Sequence, residues 1–202
     1  KNETKKEANV DQLNILKKPE RDVLKFLAEH SPIEEWQSDI ISMLRDEAYY
    51  FLPQRMTKIM NEGWASFWHS KMMTEDLLND SEIVDFAQVH SSVMYMSQQR
   101  MNPYKIGIEL FKDIKERWDK GRFGLEYILC DDMDKKDNWD TKEMKGMEKI
   151  FEVRKHYNDI TFIDEFFTEE FCKRSKLFLY HKDPRTGKNT IKSKDFKEIK
   201  NA

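Results

Sequence analysis

The sequence predicts a mainly α-helical fold, a multi-helix bundle with a small β-hairpin near the C-terminus, and three observations carry the prediction. Apolar residues recur three and four positions apart from Pro19 to the region of Arg174, the period of an amphipathic helix. Caps and prolines punctuate that pattern at helix-length intervals, as at Ser31-Pro32 and Asn102-Pro103. The pattern changes only near the end, where Leu177-Phe178-Leu179-Tyr180 and Thr190-Ile191 flank Asp183-Pro184-Arg185-Thr186-Gly187, a turn-rich stretch between two strand-like runs.

Residues 1–18 are polar and weakly patterned and read as a tail or linker. Residues 19–175 read as the helical domain, and residues 176–202 as the hairpin closed by a short helix from Ser193. In the helical domain, Val23, Phe26 and Leu27 form a short stripe ended by His30-Ser31-Pro32. With Ser31 as cap and Pro32 in the first turn, a second helix carries Trp36, Ile40, Leu44, Ala48 and Phe51 to about Leu52. Pro53 then kinks this helix or opens another. Residues 54–73 are apolar nearly all round (Met56, Ile59, Met60, Trp64, Ala65, Phe67, Trp68, Met72, Met73), which predicts a helix buried at the centre of the bundle.

Asp80 or Ser81 is the expected cap of a helix bearing Ile83, Phe86, Ala87, His90, Val93, Met94 and Ser97. Asn102 caps, and Pro103 opens, a helix from Tyr104 to Lys120, with Gly121 as its stop. Asp140 and Glu143 form a cap pair before a helix carrying Met144, Met147, Ile150, Phe151 and Tyr157. Short helical turns are expected around Ile160–Phe167 and Thr168–Arg174.

Composition narrows the function classes. The chain has 202 residues, 39% apolar and 36% charged, with thirteen Phe, five Trp and eleven Met, so a real core is available. Its 35 basic residues nearly balance 38 acidic ones, without the basic excess a nucleic-acid binder uses against phosphates. The local run Lys188, Lys192, Lys194, Lys197 and Lys200 reads as a solvated hairpin and helix surface. Cys130 and Cys172 lie far apart without a CxxC, so they read as small core residues in a reducing compartment. No apolar run approaches the ~20 residues of a bilayer span, and Lys1 to Glu7 shows no signal-peptide character. A cytoplasmic location is expected. The absence of an initiator Met predicts an excerpt of something longer.

Several site motifs are missing. The five histidines, His30, His69, His90, His156 and His181, never fall four apart, so there is no HxxxH or HExxH helix. Neither a G-x-S-x-G elbow nor a phosphate-binding glycine loop occurs. Asp132, Asp134 and Glu143 match three calcium-loop positions, but Lys136 and Asp137 replace a ligand and the turn glycine, so a solvated acidic loop accounts for them better.

Glu62 stands out because it lies inside the apolar segment. A buried carboxylate must find a partner, stay protonated or bind a cation. Spacing alone favours a structural pairing with an Arg or His of a neighbouring helix. Gly63 sacrifices about 1 kcal/mol of helix propensity against Ala, which predicts close approach of another backbone or a ligand. His69 shares a helix face with Glu62 but lies about 10 Å along the axis, and His90 reads as a core histidine on its own apolar stripe.

Three blocks carry a family resemblance: Asp46-Glu47-Ala48-Tyr49-Tyr50-Phe51-Leu52-Pro53-Gln54, then Thr57-Lys58-Ile59-Met60-Asn61-Glu62-Gly63-Trp64-Ala65-Ser66-Phe67-Trp68-His69, then Asn102-Pro103-Tyr104-Lys105-Ile106-Gly107-Ile108-Glu109-Leu110-Phe111. They resemble the stage V sporulation protein R (SpoVR) family from about Pro19 to the end. Members are longer at both ends, so the chain resembles a middle-to-C-terminal excerpt, with the missing parts expected to pack on it. The resemblance implies a role in forming the spore cortex, a peptidoglycan layer, but it implies no particular reaction.

Asn61-Glu62-Gly63-Trp64-Ala65 is also similar to the Asn-Glu-Gly-aromatic-Ala motif of zinc aminopeptidases, whose Glu is the third zinc ligand. Their other two protein ligands come from an upstream HExxH helix. Relatives of sporulation protein R carry a His-x-x-x-His segment upstream, with Gly where the catalytic Glu stands, a departure that tells against peptidase chemistry. This second resemblance implies Glu62 as a metal ligand, with His69 and His90 in an outer shell and zinc as the metal of the full-length protein. No catalytic residue is assigned. The alternative is a non-catalytic assembly or regulatory protein in which Glu62 is structural and the protein partners are unknown.

Overall fold

The computed structural model describes residues 21–97 and 101–201. The expected tail over residues 1–18 lies outside them. The chain divides into two compact units, Lys1–Pro53 and Gln54–Ala202.

In the first unit, α1 spans Val23–His30 and α2 spans Glu35–Met56. Asp22 caps α1 by accepting from the Lys25 amide at 3.0 Å. Its other oxygen pairs with Arg45 Nε at 2.7 Å and accepts from the Tyr49 hydroxyl at 3.0 Å. The Lys25 amide, then Arg45 and Tyr49, hold the Asp22 carboxyl below its usual range. Ser31 closes α1 rather than opening α2, because its amide donates to the Leu27 carbonyl. The second helix therefore starts at Glu35, later than Pro32, and Pro53 stays inside it. The expected stripe exists but remains open within its own unit, with Trp36, Ile40, Leu44 and Phe51 exposed by 57%, 42%, 51% and 41%.

The second unit continues with α3 (Lys58–Met72), a π-turn (Met73–Leu77), α4 (Ile83–Val93) and α5 (Pro103–Asp119). Two short helices follow, α6 (Gly124–Ile128) and α7 (Met133–Asp137), then α8 (Gly146–His156), α9 (Asp159–Phe166) and α10 (Glu169–Arg174). The end is β1 (Leu179–Lys182), β2 (Asn189–Ser193) and α11 (Phe196–Asn201). The two strands pair antiparallel, Tyr180 opposite Ile191 and His181 opposite Thr190, which is the predicted hairpin. Gly187 takes the positive φ its turn requires.

Helix α5 is the axis of this unit. Its Ile106, Ile108, Leu110, Phe111 and Ile114 are buried, α3 packs on one side, and α8 packs on another. Met60, Phe67, Ile150, Val153, Phe162, Phe166 and Phe171 complete the core. Each fully buried Phe contributes roughly 2 kcal/mol by removing apolar area from water.

Helix α3 buries one face only, a correction to the all-round burial expected for residues 54–73. Met60, Gly63, Ser66 and Phe67 are buried, whereas Met56 and Met72 stay exposed. Trp64 and Trp68 lie on the rim, where Trp64 meets Phe151 edge-on at 5.1 Å. Rings large enough to pack sideways raise the apolar content of a helix without placing it at the centre.

Two cap assignments also change. Helix α4 begins at Ile83 behind Glu82, whose carboxylate accepts from the Asn79 amide, so neither Asp80 nor Ser81 is its cap. Helix α8 begins at Gly146, and Asp119 of α5 accepts the Gly146 amide at 2.8 Å in place of the expected Asp140 and Glu143. Lys142 and Met144 have positive φ, which breaks the helical path between that pair and α8. Asp132, from the rejected calcium pattern, caps α7 through the Lys135 amide.

Candidate functional site: the Glu62–Tyr104 pocket

Glu62 owes its position to a contact of two glycines. A Cβ added to Gly63 would sit 2.4 Å from the Gly107 Cα, and one added to Gly107 would sit 2.5 Å from both the Gly63 Cα and the Ile59 carbonyl oxygen. Backbone therefore meets backbone where α3 crosses α5, and the close approach expected at Gly63 comes from a helix. Glu62 precedes this contact on α3, and Tyr104 stands three residues before it on α5. Both side chains are half-buried.

The nearby Glu62 carboxylate, as a hydrogen-bond acceptor and a negative charge, pushes the Tyr104 phenol above its ordinary pKa. Tyr104 is fixed in turn by Asn102, which accepts the Tyr104 amide at 2.9 Å. The Asn102 amide group donates to the carbonyls of Val93 and Tyr95, each at 2.8 Å. One asparagine thus caps α5 and ties the end of α4 to it.

At the start of α3, Thr57 makes no side-chain cap bond. Asp159 of α9 supplies it, its two oxygens accepting from the Ile59 and Met60 amides at 2.9 Å each. The negative carboxylate also complements the positive end of the helix dipole.

An open pocket of about 470 Å³ lies at this junction, and Lys58, Glu62, Tyr95, Asn102 and Tyr104 are among its lining residues. Glu62 makes no ion pair within 4 Å among the described residues, so an Arg or Lys is not its cap there. A carboxylate offers about four lone-pair positions, and among the described residues one phenol leaves most of them free. The arrangement can hold a cation or a donor group in the pocket.

His69 and His90 meet elsewhere. Phe86 of α4 lies between them, edge-on to His69 at 5.6 Å and stacked on His90 at 5.3 Å. Burial, then the charges of Lys112, His69 and Lys105, lowers the His90 pKa. Neither histidine lines the Glu62 pocket. Among the described residues no three His, Cys, Asp or Glu side chains gather as a metal-binding group. A zinc ion takes three or four protein ligands. Glu62 fits such an ion as a single ligand, and the residues described here do not complete the set.

The most deeply buried carboxylate, Asp113, received no role from the sequence, although Arg117 sits one turn further on. Asp113 is 4% exposed. Arg117 Nε lies 2.7 Å from it, and Arg174 of α10 donates to its other oxygen. Burial raises the Asp113 pKa, and the two guanidinium groups oppose the rise. Tyr104 was likewise not singled out, and its position just after Asn102-Pro103, at the start of a helix, was the available signal.

Among the described residues, the elements around the pocket define a helical protein with a glycine-crossed core and a single pocket-lining carboxylate. The sequence model of the family described as "SpoVR like protein" matches residues 1–202, and the chain belongs to that family. Family membership associates the chain with sporulation. Over 201 residues the chain is 25% identical to the uncharacterized protein YcgB of Escherichia coli (strain K12), covering 91% of this chain and 37% of that protein. The chain thus spans little more than a third of the length of the curated relative it matches. No solved structure gives a significant match. No helix among the described residues is long and apolar enough to cross a membrane.

Proposed function

We propose that the chain is part of a cytoplasmic sporulation protein acting in spore cortex formation, and that Glu62 is the ligand it contributes to a zincin-like metal site. The observation that carries this reading is a carboxylate inside Asn61-Glu62-Gly63-Trp64-Ala65 that faces an open pocket with a neutral phenol as its partner. The remaining ligands come from parts of the protein outside this chain. Bound zinc would supply Lewis acidity, and Glu62 would supply negative charge and one fixed direction of coordination.

The test is metal content by plasma mass spectrometry on the full-length protein, its Glu62→Gln variant and this chain. The expected result is about one zinc per full-length molecule, lost in the variant and in this chain. Absence of metal from all three would falsify the metal site. It would leave the second reading, a non-catalytic assembly or regulatory protein with a structural Glu62. The Tyr104 phenol beside the carboxylate favours that reading, since a phenol donor satisfies part of it.

A further inference from the structure

We infer that the protein associates with itself head to tail, the acidic, apolar arm between α5 and α8 of one copy docking on the basic hairpin of a second copy. Both surfaces lie in the second unit.

The arm, residues 122–145, leaves the end of α5 and returns to it. Phe123 stacks on Trp118 at 5.2 Å, and the Thr141 and Met144 amides donate to the carbonyls of Lys120 and Asp119 at 3.0 and 3.1 Å. Between these roots the arm is tied to itself. Tyr127 meets Trp139 edge-on at 5.6 Å, and the Arg122 guanidinium donates to the carbonyls of Trp139 and Asp137 at 3.0 and 2.8 Å. The aromatic rings thus serve the interior of the arm, and its aliphatic side chains are left outside. Leu125, Ile128, Leu129 and Met133 are 73%, 63%, 71% and 67% exposed. The first three stand three and four positions apart, so they share one face of the helical turn. Large aliphatic groups gathered in the open, with polar residues around them, mark a surface that meets a partner.

Charge identifies the partner. Residues 124–140 carry six acidic and two basic side chains, a net charge of −4. None of the six acids closes an ion pair within 4 Å among the described residues. Residues 179–194, the hairpin, carry five basic side chains and one acidic, a net charge of +4. That one acid, Asp183, is occupied inside its own turn, where it accepts from the Arg185 amide and the Thr186 hydroxyl. Lys182, Lys188 and Lys192 are exposed and have no carboxylate partner within 4 Å among the described residues, and Ile191 of the same hairpin is 45% exposed.

The two surfaces match in charge, and each exposes aliphatic area. Complementary patches of this kind steer the encounter and reject like-charged partners. No hydrogen bond or ion pair among the described residues joins the arm to the hairpin within one molecule, which leaves each open to another copy. Because the two surfaces differ, the contact is heterologous, and every pair keeps a free arm at one end and a free hairpin at the other.

The experiment is sedimentation velocity on the full-length protein over a micromolar concentration series. It is run beside an arm variant carrying Glu126→Lys and Asp131→Lys, and a hairpin variant carrying Lys188→Glu and Lys192→Glu. All four side chains are exposed and form no side-chain hydrogen bond or ion pair among the described residues, so the melting temperatures are expected to match the parent's. Each pair of substitutions brings its own surface to zero net charge. The parent is expected to grow in mass with concentration, and each variant alone to associate about 10-fold more weakly. Mixed in equal amounts, the intact hairpin of one variant meets the intact arm of the other, and the mixture forms a one-to-one dimer and goes no further. Leu129→Ser, which keeps every charge, is expected to weaken the parent's association as well. A parent that sediments as a monomer throughout overturns the inference, as does an assembly that the arm variant, the hairpin variant or Leu129→Ser leaves unchanged. Two folded variants that stay apart on mixing overturn the pairing of arm with hairpin.

Discussion

The two ends of α5 treat a carboxylate in opposite ways. Toward the C-terminal end, Asp113 is closed over by Arg117 and Arg174, with Glu116 and Lys120 extending the charges outward. At the N-terminal end, Tyr104 meets Glu62 with a neutral hydroxyl and leaves it facing a pocket. Burying a charge costs several kcal/mol, and opposite charges in close contact offset most of that cost. Asp113 is accordingly a stability feature whose groups face one another. Glu62 retains capacity for something further.

This contrast can be broken most directly at Asp113. Replacing it with Ala leaves the half-buried Arg117 without its partner and opens a gap beside α10, and is expected to cost about 3 kcal/mol, read as a lower midpoint in urea unfolding. Glu62→Gln, under the same conditions, is expected to stay within about 1 kcal/mol of the parent. Equal losses at the two sites would mean that Glu62 too is a structural charge.

Gly107→Ala drives a methyl group into the Ile59 carbonyl and the Gly63 backbone. The helices must separate, at about 3 kcal/mol on the scale of overpacked cores. Circular dichroism would show a lower melting temperature, and the fluorescence of Trp64 would shift as its packing on Phe111 loosens. A variant as stable as the parent would show that the crossing adapts and does not fix the pocket.

Asp159→Ala removes both acceptors at the start of α3 and is expected to cost about 1–2 kcal/mol. Amide hydrogen exchange would report it locally, with faster exchange at Ile59 and Met60 than at Phe111.

The smallest expected effect concerns α4. The lowered pKa of His90 means that the folded protein disfavours the charged imidazole. Between the folded pKa and the ordinary 6.5 the unfolded chain binds more protons, so stability rises with pH. The contribution is fully present above 6.5 and is lost as pH falls through the folded value. His90→Gln should flatten that slope, and a parallel slope in the variant would sink the assignment.

Much of this was legible in local sequence and some was not, for physical reasons. The 3.6-residue period located the helices, and Asp183-Pro184-Arg185-Thr186-Gly187 located the hairpin, because both signals act within a few residues. Gly63 announced a close approach because an interior glycine has a propensity cost that something must offset, but its partner Gly107 could not be named without the crossing. The side-chain partner of Glu62 was expected to be an Arg or His, and among the described residues the group acting on it is a phenol. Helix termini were the weakest part. The caps of α3 and α8 are Asp159 and Asp119, side chains from other helices that no local motif encodes.

The Asp159 cap also bears on how the chain assembles. The residues it joins are about a hundred positions apart, separated by 100 for Ile59 and 99 for Met60. A contact of that span forms only after the intervening loop has closed. During synthesis the first turn of α3 emerges long before its acceptor exists, so the Glu62 segment acquires its final geometry late. A nascent chain stopped before α9 would carry the whole Asn61-Glu62-Gly63-Trp64-Ala65 motif without the anchor that sets it.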